Sequence, residues 1–501
     1  MRGKSHSEER GHHMTRLSFK SSSALRADVK RPAYDPQTLN IGVVHFGPGA
    51  FHRGHQAAYF DALAEFDPRW GICGVSLHST GVRDALTAQD GLYTLAILDE
   101  TINWQIIGAL RELLVGPEDI EAVFDRLTRR AVEIVTSTVT EKGYCLNAQF
   151  ELDSQHPDIV HDLANPTAPK SFIGYVTEGL RRRRAQGLPP FVLIPCDNLP
   201  KNGDRLKAAI VAFAVHFDAG LSQWIEARLQ CPCTMVDSIT PATDEALRVR
   251  VEEAIGAEDQ WPIQREAFTQ WVIEDHVHEG GPDWASVGVT LTDNVPAYER
   301  AKLRLLNGPH STLAYVGLHR GYESVQQAMK DAELSQLIRD LMIADVVPLL
   351  EAPKGLDLTG YSEAILKRFC NPAIKHLLSQ IAWDGSQKLP IRILSPMSEA
   401  LDRDRDISRF CVSLAAWMRF VRAKALAGDK LTDPLAELLL KTGLDCEDTL
   451  SDVERFLALE AIFPSTLAQN PRVISSICSA YKTLLDAETS KPHRNMVAEP
   501  I

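Results

Sequence analysis

The chain has 501 residues, more than a single hydrophobic core usually holds, which predicts at least two domains. Its composition, 45% apolar and 24% charged, is typical of a globular protein rather than a disordered one. A net charge of −13 without a sustained basic run argues against nucleic acid as a partner. Because no run of about 18 apolar residues occurs, the sequence predicts no membrane span.

The charged start of the chain lacks the apolar core of a secretory signal, and we predict that residues 1–30 are a disordered extension. The 9 cysteines are scattered, without paired spacing beyond Cys231 and Cys233. This usage predicts reduced thiols that fill core space in a cytoplasmic protein. Cysteine and histidine also lack the spacing of a zinc site, so we expect no bound metal.

Between residues 40 and 240, short apolar segments alternate with segments of helical periodicity. The predicted strands, rich in β-branched residues, are 41–46, 71–77, 132–139 and 191–195. Helices are predicted over 120–130 and 171–187. Largely apolar strands suit a sheet that is buried on both faces, and the alternation of strand and helix predicts a doubly wound, mostly parallel α/β sheet.

A glycine-rich turn follows the first predicted strand, in the segment IGVVHFGPGAFHRGH. Gly47 and Gly49 stand where a turn can bring backbone N–H groups against a pyrophosphate at a helix N-terminus. The third position of the dinucleotide fingerprint holds His52 rather than Gly or Ala, with Gly54 two residues later. An ordinary tight turn is the alternative, but the position after the first strand favours cofactor binding.

The segment after the second strand, LHSTGVRDA, bears on the choice of cofactor. No acidic residue stands at the strand end to meet the adenosine ribose, and Arg83 lies close enough in sequence to accept a 2′-phosphate. We therefore expect NAD without excluding NADP.

Helical periodicity dominates from about residue 296. The turn residues of HEGGPDW indicate a domain boundary between about residues 270 and 296. We assign residues 31–285 to a dinucleotide-binding domain and residues 286–501 to a mostly helical substrate and catalytic domain.

Three polar residues surround a defect in the predicted helix AKLRLLNGPHS. Pro309 lacks an N–H and its ring would collide with the carbonyl of Leu305, which predicts a kink or a new helix starting at Pro309. On an ideal helix Lys302, Asn307 and His310 would cover a broad side, whereas a kink can gather them around a pocket.

Such a trio suits hydride transfer at a secondary alcohol without a metal. A desolvated lysine can act as a base near neutral pH, an amide can donate to a developing alkoxide, and a histidine can orient a hydroxyl. From spacing alone, a surface lysine, a helix-terminal asparagine and a core histidine remain the alternative.

The spacing K-x-x-x-x-N-x-x-H resembles the signature of the polyol-specific long-chain dehydrogenases, a family that includes mannitol 2-dehydrogenase and fructuronate reductase (mannonate oxidoreductase). The resemblance extends over almost the whole chain after residue 30, through segments such as TVTEKGYC, PCDNLPKNG, CTMVDSITP and DGSQKLP. It implies a Rossmann-type N-terminal domain and a helical C-terminal domain. It also implies metal-independent, NAD(P)-dependent interconversion of a linear sugar alcohol or aldonate and its keto form.

The resemblance also implies roles for single residues. Lys302 corresponds to the general base of the family, and Asn307 and Asn198 correspond to the two amides of its oxyanion hole. His310 corresponds to a histidine that holds substrate, and Glu299 to a glutamate linked to proton exit. Polar substrate positions correspond to Asp237 and Lys388, which without the resemblance would be ordinary loop charges. Cofactor positions correspond to Phe51 and Arg53, beside Gly47, Gly49 and His52 of the turn. Without the resemblance, Glu299 and Lys302 could equally form a surface i,i+3 ion pair.

A uronate substrate would add a carboxylate that needs a cationic partner. The segment KHLLSQIAWDGSQKLPIRI offers Lys375, His376, Lys388 and Arg392. Because Pro390 separates the last two, we expect them to face the pocket from an extended or turn segment rather than one regular helix. A structural Arg392 paired with an acidic neighbour is the alternative.

The substrate expectation also rests on the residue eight positions before Lys388. Gln380 stands where mannitol dehydrogenases can carry arginine, which weakens the mannitol interpretation. We therefore expect fructuronate reductase activity first and mannitol 2-dehydrogenase activity second, with a catalytically silent nucleotide-binding sensor as a further alternative. The oligomeric state stays open.

Overall fold

The computed structural model describes residues 15–275, 280–374 and 376–489. The chain forms two compact units, Met1–Pro296 and Ala297–Ile501. The predicted domain limit at residue 285 stays a prediction. Within the described residues, no helix is long and apolar enough to cross a membrane.

The first unit contains both strands and helices. The strands are β1 Ile41–Phe46, β2 Gly71–Ser76, β3 Tyr93–Leu98, β4 Asn103–Ile107, β5 Leu110–Val115, β6 Ile134–Ser137, β7 Val192–Pro195, β8 Thr234–Asp237, β9 Ile263–Glu266, β10 Gln270–Glu274 and β11 Thr290–Thr292. The helices are α1 Phe19–Ser22, α2 Ala50–Gly54, α3 Gln56–Ala64, α4 Gly81–Thr87, α5 Ile120–Leu127, α6 Pro157–Ala164, α7 Phe172–Ala185, α8 Asn202–Val215, α9 Ala219–Arg228 and α10 Glu245–Ile255.

The main sheet confirms the predicted α/β class. Its strand order is β5-β2-β1-β6-β7, and every neighbouring pair is parallel. The side chains of β1 alternate between two cores: Val44 and Phe46 pack with helices α5, α7, α8 and α9, and Val43 packs with α3 and α4. Burial on both faces explains why these strands are continuously apolar. The carboxyl ends of β1, β2 and β6 therefore share one edge of the sheet.

Smaller sheets, β4-β3-β9 and β11-β10-β8, were not predicted from sequence. Strand β9 has the sequence IQRE, and all of its residues are buried. A strand with three polar residues in four gives neither an apolar run nor a clean alternation. The sequence pattern therefore carried no strand signal there.

The prediction of a disordered extension over residues 1–30 was wrong for residues 15–30. Leu17, Leu25 and Val29 are buried in one core cluster with residues of α10, and the backbone N–H of Leu17 donates to the carbonyl of Glu258. Apolar side chains spaced along a polar segment supply this anchor. Residues 1–14 lie outside the described part of the chain.

The second unit is helical over its described residues. Its α helices are α11 Val295–Lys302, α12 Gly308–Arg320, α13 Val325–Met329, α14 Ala332–Asp340, α15 Leu358–Phe369, α16 Leu378–Ile381, α17 Gly385–Leu389, α18 Ser395–Asp402, α19 Ser408–Ala427, α20 Ala436–Leu444, α21 Ser451–Leu457, α22 Ser465–Ala468 and α23 Pro471–Thr489. Helix α19 packs against α12, α20 and α23. Segments of π helix interrupt the α geometry, and we label them π1 Leu303–Asn307, π2 Leu341–Val346 and π3 Pro390–Leu394.

Candidate active site

The defect in AKLRLLNGPHS is a π turn, not a break. Helix α11 runs into π1 and then directly into α12, and the N–H of Gly308 donates to the carbonyl of Leu303 in the i→i+5 pattern. Pro309 directly follows the π turn as the second residue of α12, and the helical run continues through it although it lacks an N–H. The predicted new helix starting at Pro309 begins one residue earlier, and the chain is helical across the expected interruption.

The π turn changes which residues share a face of the helix. Residues i and i+5 are about 140° apart around an α helix but lie above one another across a π turn. Lys302 and Asn307 have this spacing, and π1 lies between them. His310 follows Asn307 by three residues on α12, so it lies on the same side. By this geometry the positions of Lys302, Asn307 and His310 fall on one side of the helical run.

A second π segment carries Arg392. Helix α17, π3 and α18 form one continuous helical run, so the expected extended or turn segment around Pro390 was wrong. Pro390 is the first residue of π3, and the helical run continues through it although it lacks an N–H. Lys388 and Arg392 are thus i,i+4 neighbours on a helical run.

Segments π1 and π3 pack against each other at Gly308. A Cβ added at Gly308 would lie 3.0 Å from the backbone oxygen of Arg392, so only glycine permits this approach without a shift. Arg392 Nη1 donates to the backbone oxygen of Asn307 at 3.4 Å and to Ser311 Oγ at 3.2 Å. The guanidinium of Arg392 is therefore attached to the same turn that carries Asn307.

Arg392 is partly buried, and its acceptors are neutral. Within residues 15–275, 280–374 and 376–489 it forms no ion pair with a carboxylate, so the alternative of a structural Arg392 with an acidic partner is not observed. Burial lowers the pKa of Lys388, and the neighbouring charge of Arg392 lowers it further. Lys388 Nζ donates to the carbonyl of Ile381 at 3.3 Å. Lys375 lies outside the described residues.

His310 is 7% exposed and sits among aromatic rings. Its ring stacks on Phe369 with a centroid distance of 4.5 Å and meets His376 edge-on at 4.9 Å. Burial lowers the pKa of His310 well below its usual value, and His376, Arg368 and Arg392 lower it further. The imidazole is therefore neutral at physiological pH.

Glu299 and Lys302 lie on α11, three residues apart, and both side chains are partly exposed. The roles of base and proton exit that the resemblance implies for them stay predictions.

The glycine turn of the first unit has a conformation that requires Gly47. Its φ is +87°, and an added Cβ would lie 2.4 Å from the carbonyl oxygen of Thr138. Gly49 is exposed and is the N-cap of α2, where it has no side chain to cap the helix. A Cβ added at Gly49 would have one neighbour within 4 Å, the carbonyl oxygen of Gly47 at 3.8 Å. The turn thus presents an uncapped helix start at the carboxyl edge of the sheet, as a dinucleotide site requires.

The other predicted cofactor residues divide into two groups. Phe51 is partly exposed and stacks on His55 at 5.0 Å. His52 and Arg53 are buried, which their sequence neighbourhood did not reveal. His52 stacks on His45 with 3.4 Å between ring centroids, and Arg53 Nη1 donates to the carbonyl of Trp261 at 2.9 Å. These two side chains point into the unit, so their effect on a cofactor would be through the shape of the turn.

Arg83, proposed above as a possible 2′-phosphate partner, is surrounded by acidic groups. It forms ion pairs with Glu118 and with Asp84 at 3.0 Å, and Asp119 lies 3.9 Å away. Its charge is thereby largely offset.

Asn198 and Asp237 lie at the carboxyl ends of two strands of the first unit, β7 and β8. Asn198 is exposed in the turn after β7, whereas Asp237 is the buried last residue of β8. Asn202 joins the two segments, because its Nδ2 donates to the carbonyl of Asp197 and to that of Thr234, both at 3.1 Å. The segment PCDNLPKNG contained this anchor, but sequence alone did not identify which asparagine was structural.

Asp197 holds the same turn from its other side. Its carboxylate accepts from the N–H of Thr140 at 2.7 Å and from the hydroxyl of Tyr144 at 3.0 Å. Burial raises the pKa of Asp197 to about 6. In the part of the chain that the structure describes, no group of three or more histidine, cysteine, aspartate or glutamate side chains is arranged to hold a metal.

Comparison with known proteins identifies relatives along most of the chain. A family model described as the mannitol dehydrogenase Rossmann domain matches residues 41–286, and one described as the mannitol dehydrogenase C-terminal domain matches residues 294–485. The D-mannonate oxidoreductase of Escherichia coli (strain K12) is 39% identical over 467 residues, which cover 91% of this chain and 96% of that protein. A mannitol 2-dehydrogenase of Phaeosphaeria nodorum is 36% identical over 480 residues, which cover 94% of this chain and 83% of that protein.

Solved structures agree with this assignment. Pseudomonas fluorescens mannitol 2-dehydrogenase, in a ternary complex with NAD and D-mannitol, matches with a TM-score of 0.79 and 36% identity, covering 95% of this chain and 100% of that one. A D-sorbitol dehydrogenase in substrate-free form matches with a TM-score of 0.88 and 32% identity, covering 94% of this chain and 99% of that one. The fold, the paired family models and relatives above 30% identity agree: the chain is an oxidoreductase of the mannitol dehydrogenase family.

Proposed function

We propose that this protein is an NAD-linked fructuronate reductase, which interconverts fructuronate and mannonate. The observation that carries the proposal is Arg392, a partly buried guanidinium that forms no ion pair with a carboxylate of the described residues. A neutral ketose gives such a group nothing to neutralise, whereas the carboxylate of a uronate does.

The position of Arg392 supports this role. It donates to Asn307 and Ser311 of the turn that carries the candidate catalytic amide. A buried cation without a counter-ion is energetically costly. The presence of Arg392 at this partly buried position is best explained by a ligand that supplies the negative charge. A guanidinium can hold a carboxylate through two parallel hydrogen bonds, and Lys388, one helical turn away, adds a second positive charge.

The reaction requires a hydride at the carbonyl carbon and a proton at its oxygen. When bound, reduced NAD supplies the hydride. Lys302 donates the proton in reduction and accepts it in oxidation, while the amide of Asn307 stabilises the negative charge that develops on the oxygen. Neutral His310 holds the reacting hydroxyl or carbonyl through a ring nitrogen. Glu299 returns the proton of Lys302 to solvent.

In the first unit, Asn198 is the second amide and Asp237 a polar substrate contact by the same proposal. Gly47, Gly49 and Phe51 hold the cofactor, with His52 and Arg53 supporting the turn from inside. The relative of known structure that binds NAD supports this cofactor. NAD is favoured over NADP because Glu118, Asp84 and Asp119 surround Arg83 and would repel a 2′-phosphate.

Mannitol 2-dehydrogenase activity is the second candidate, because relatives with that name cover as much of the chain. Steady-state rates with fructuronate and fructose, each with both reduced cofactors, separate the candidates. We expect the higher kcat/KM with fructuronate and NADH. A preference for fructose would instead favour mannitol 2-dehydrogenase, and the absence of turnover with every ketose would favour a nucleotide-binding sensor.

The variant Arg392→Ala tests the carboxylate partner directly. Loss of a charged hydrogen-bond pair costs about 1.5–3 kcal/mol, so the KM for fructuronate should rise about 10- to 100-fold while the KM for fructose changes little. Arg392→Lys keeps the charge without the fork and should give an intermediate KM. Equal effects on both ketoses would mean that Arg392 only supports the Asn307 turn.

A further inference from the structure

The packing around His310 leaves its ring without a hydrogen-bond partner to fix it. Among the described residues, no group hydrogen-bonds to Nε2, although this atom is buried. Functional histidines are commonly oriented by a hydrogen bond to the nitrogen that does not meet the substrate. The orientation of His310 must therefore come from another source.

Aromatic contacts restrict the ring from both its face and its edge. Phe369, the last residue of α15, covers one face with planes inclined by 24°. His376 lies nearly perpendicular, at 88°, and Nδ1 of His376 also lacks a hydrogen-bond partner among the described residues. Rotation of the His310 ring would therefore disturb both the stack on Phe369 and the perpendicular contact with His376.

The charged groups that face His310 favour the neutral ring. Arg368 and Arg392 are cations, and burial lowers the pKa of His376 so that it too is neutral near pH 7. Burial by the same rings that orient His310 thus also removes the water that would stabilise an imidazolium.

We propose that Phe369 and His376 are positioning residues that hold the neutral imidazole of His310 in the orientation that binds substrate. Phe369 acts through face stacking and His376 through edge contact, and neither touches substrate. The kinetic part of this inference rests on the substrate-holding role of His310 in the proposed function. The effect on the His310 ring itself does not.

Kinetics of Phe369→Leu and His376→Ala test the proposal with whichever ketose the wild-type enzyme reduces. An aromatic contact contributes about 0.5–1.5 kcal/mol, so each variant should raise KM about two- to tenfold with a smaller change in kcat. His376→Phe keeps the aromatic edge and should restore a KM close to wild type. Phe420→Leu, which removes a ring packed at 5.5 Å on Tyr315 of the same unit, is the matched control and should leave KM unchanged.

Nuclear magnetic resonance of histidine-labelled protein tests the same point without substrate. The signal of His310 among the 16 histidines is identified by its loss in His310→Gln. In the wild type it should stay in the neutral form well below pH 6.5, whereas in Phe369→Leu it should titrate closer to the ordinary value near 6.5. If Phe369→Leu does not fold, the half-buried His376→Ala provides the same comparison.

The two measurements separate this inference from the proposed function. A wild-type protein that reduces fructose but not fructuronate would overturn the substrate while leaving both tests intact. Wild-type KM and wild-type titration of His310 in both Phe369→Leu and His376→Ala would overturn the positioning role. A fall in kcat and stability alone, with no change in KM or in the His310 titration, would also overturn it.

Discussion

Lys302 has intermediate exposure at the end of α11, one π turn before Asn307. Its place on the same side as Asn307 and His310 suits a group that exchanges a proton with a hydroxyl held by that histidine.

Replacing Lys302 by alanine should therefore remove turnover but not cofactor binding. Loss of a general base typically costs about 10²- to 10⁴-fold in rate, whereas the glycine turn that we propose as the cofactor site belongs to the other unit. Stopped-flow hydride transfer and fluorescence titration with NADH measure the two properties. Arg300→Ala, at an exposed position of the same helix, is the control. Retention of wild-type turnover in Lys302→Ala would exclude this lysine as the base.

The sequence gives candidates for the site residues but not their surroundings. Lys302, Asn307 and His310 were predicted as site residues because their spacing resembles a known signature. The burial of His52 and Arg53 was not, because it depends on contacts with His45 and Trp261 that are distant or unremarkable in sequence. A charged residue next to a glycine turn carries no local signal that distinguishes a ligand contact from a core anchor.

At the scale of elements, the strand–turn–helix around Gly47 was predictable in detail. Strand β1 has the predicted bounds because a β-branched, apolar run between polar segments has few alternatives. The π segments were not predictable. Pro309 signals a defect, but whether the helix kinks or widens depends on its packing against π3 at Gly308.

The glycine turn gives a paired prediction. Gly47→Ala should lower stability by at least about 1 kcal/mol and weaken NADH binding, because its φ is positive and its Cβ would overlap the carbonyl of Thr138. Gly54→Ala should be tolerated, because its Cβ would meet methyl groups of Ile263 and Thr240 at 3.3 Å, which can move slightly. Thermal unfolding and NADH titration compare the two variants, and equal losses in both would contradict this account of the turn.

At the scale of the whole molecule, each unit keeps neutral histidines in its interior. Burial lowers the pKa of His45 to about 3 and that of His52 well below 6.5 in the first unit, and His310 behaves likewise in the second. The unfolded chain accepts a proton on each below about pH 6.5, but the folded chain does not. The stability that these neutral histidines contribute is fully present above this pH. It is lost as the pH falls towards their lowered pKa values in the folded chain.

This linkage predicts an acid-sensitive fold. Each such histidine steepens the fall of the unfolding free energy by about 1.4 kcal/mol per pH unit below 6.5. Burial raises the pKa values of Asp61 and Asp197 to about 6, so the folded chain binds a proton on each more readily than the unfolded chain. These two aspartates therefore favour the folded chain as the pH falls, opposite to the histidines. Comparison of the wild type with His52→Gln cancels the aspartate contribution.

Urea unfolding between pH 4.5 and pH 7.5 provides the measurement. The variant should be less stable at neutral pH, yet its stability should fall less steeply with acid by about 1.4 kcal/mol per pH unit. Parallel pH profiles for the wild type and His52→Gln would show that His52 ionises normally in the folded chain.

A π turn contains one residue more than the α turn that it replaces. Removing one residue between Lys302 and Asn307 would turn it into an α turn and keep the residues beyond it in phase, because four residues close an α turn where five close a π turn. Lys302, Asn307 and His310 would then stand at positions i, i+4 and i+7, which share one side of an α helix. Removing one residue between Asn307 and His310 would instead rotate His310 by about 100° and take it off that side. The π turn is therefore a place where related sequences can differ by a gap and still present the same polar side chains on one face.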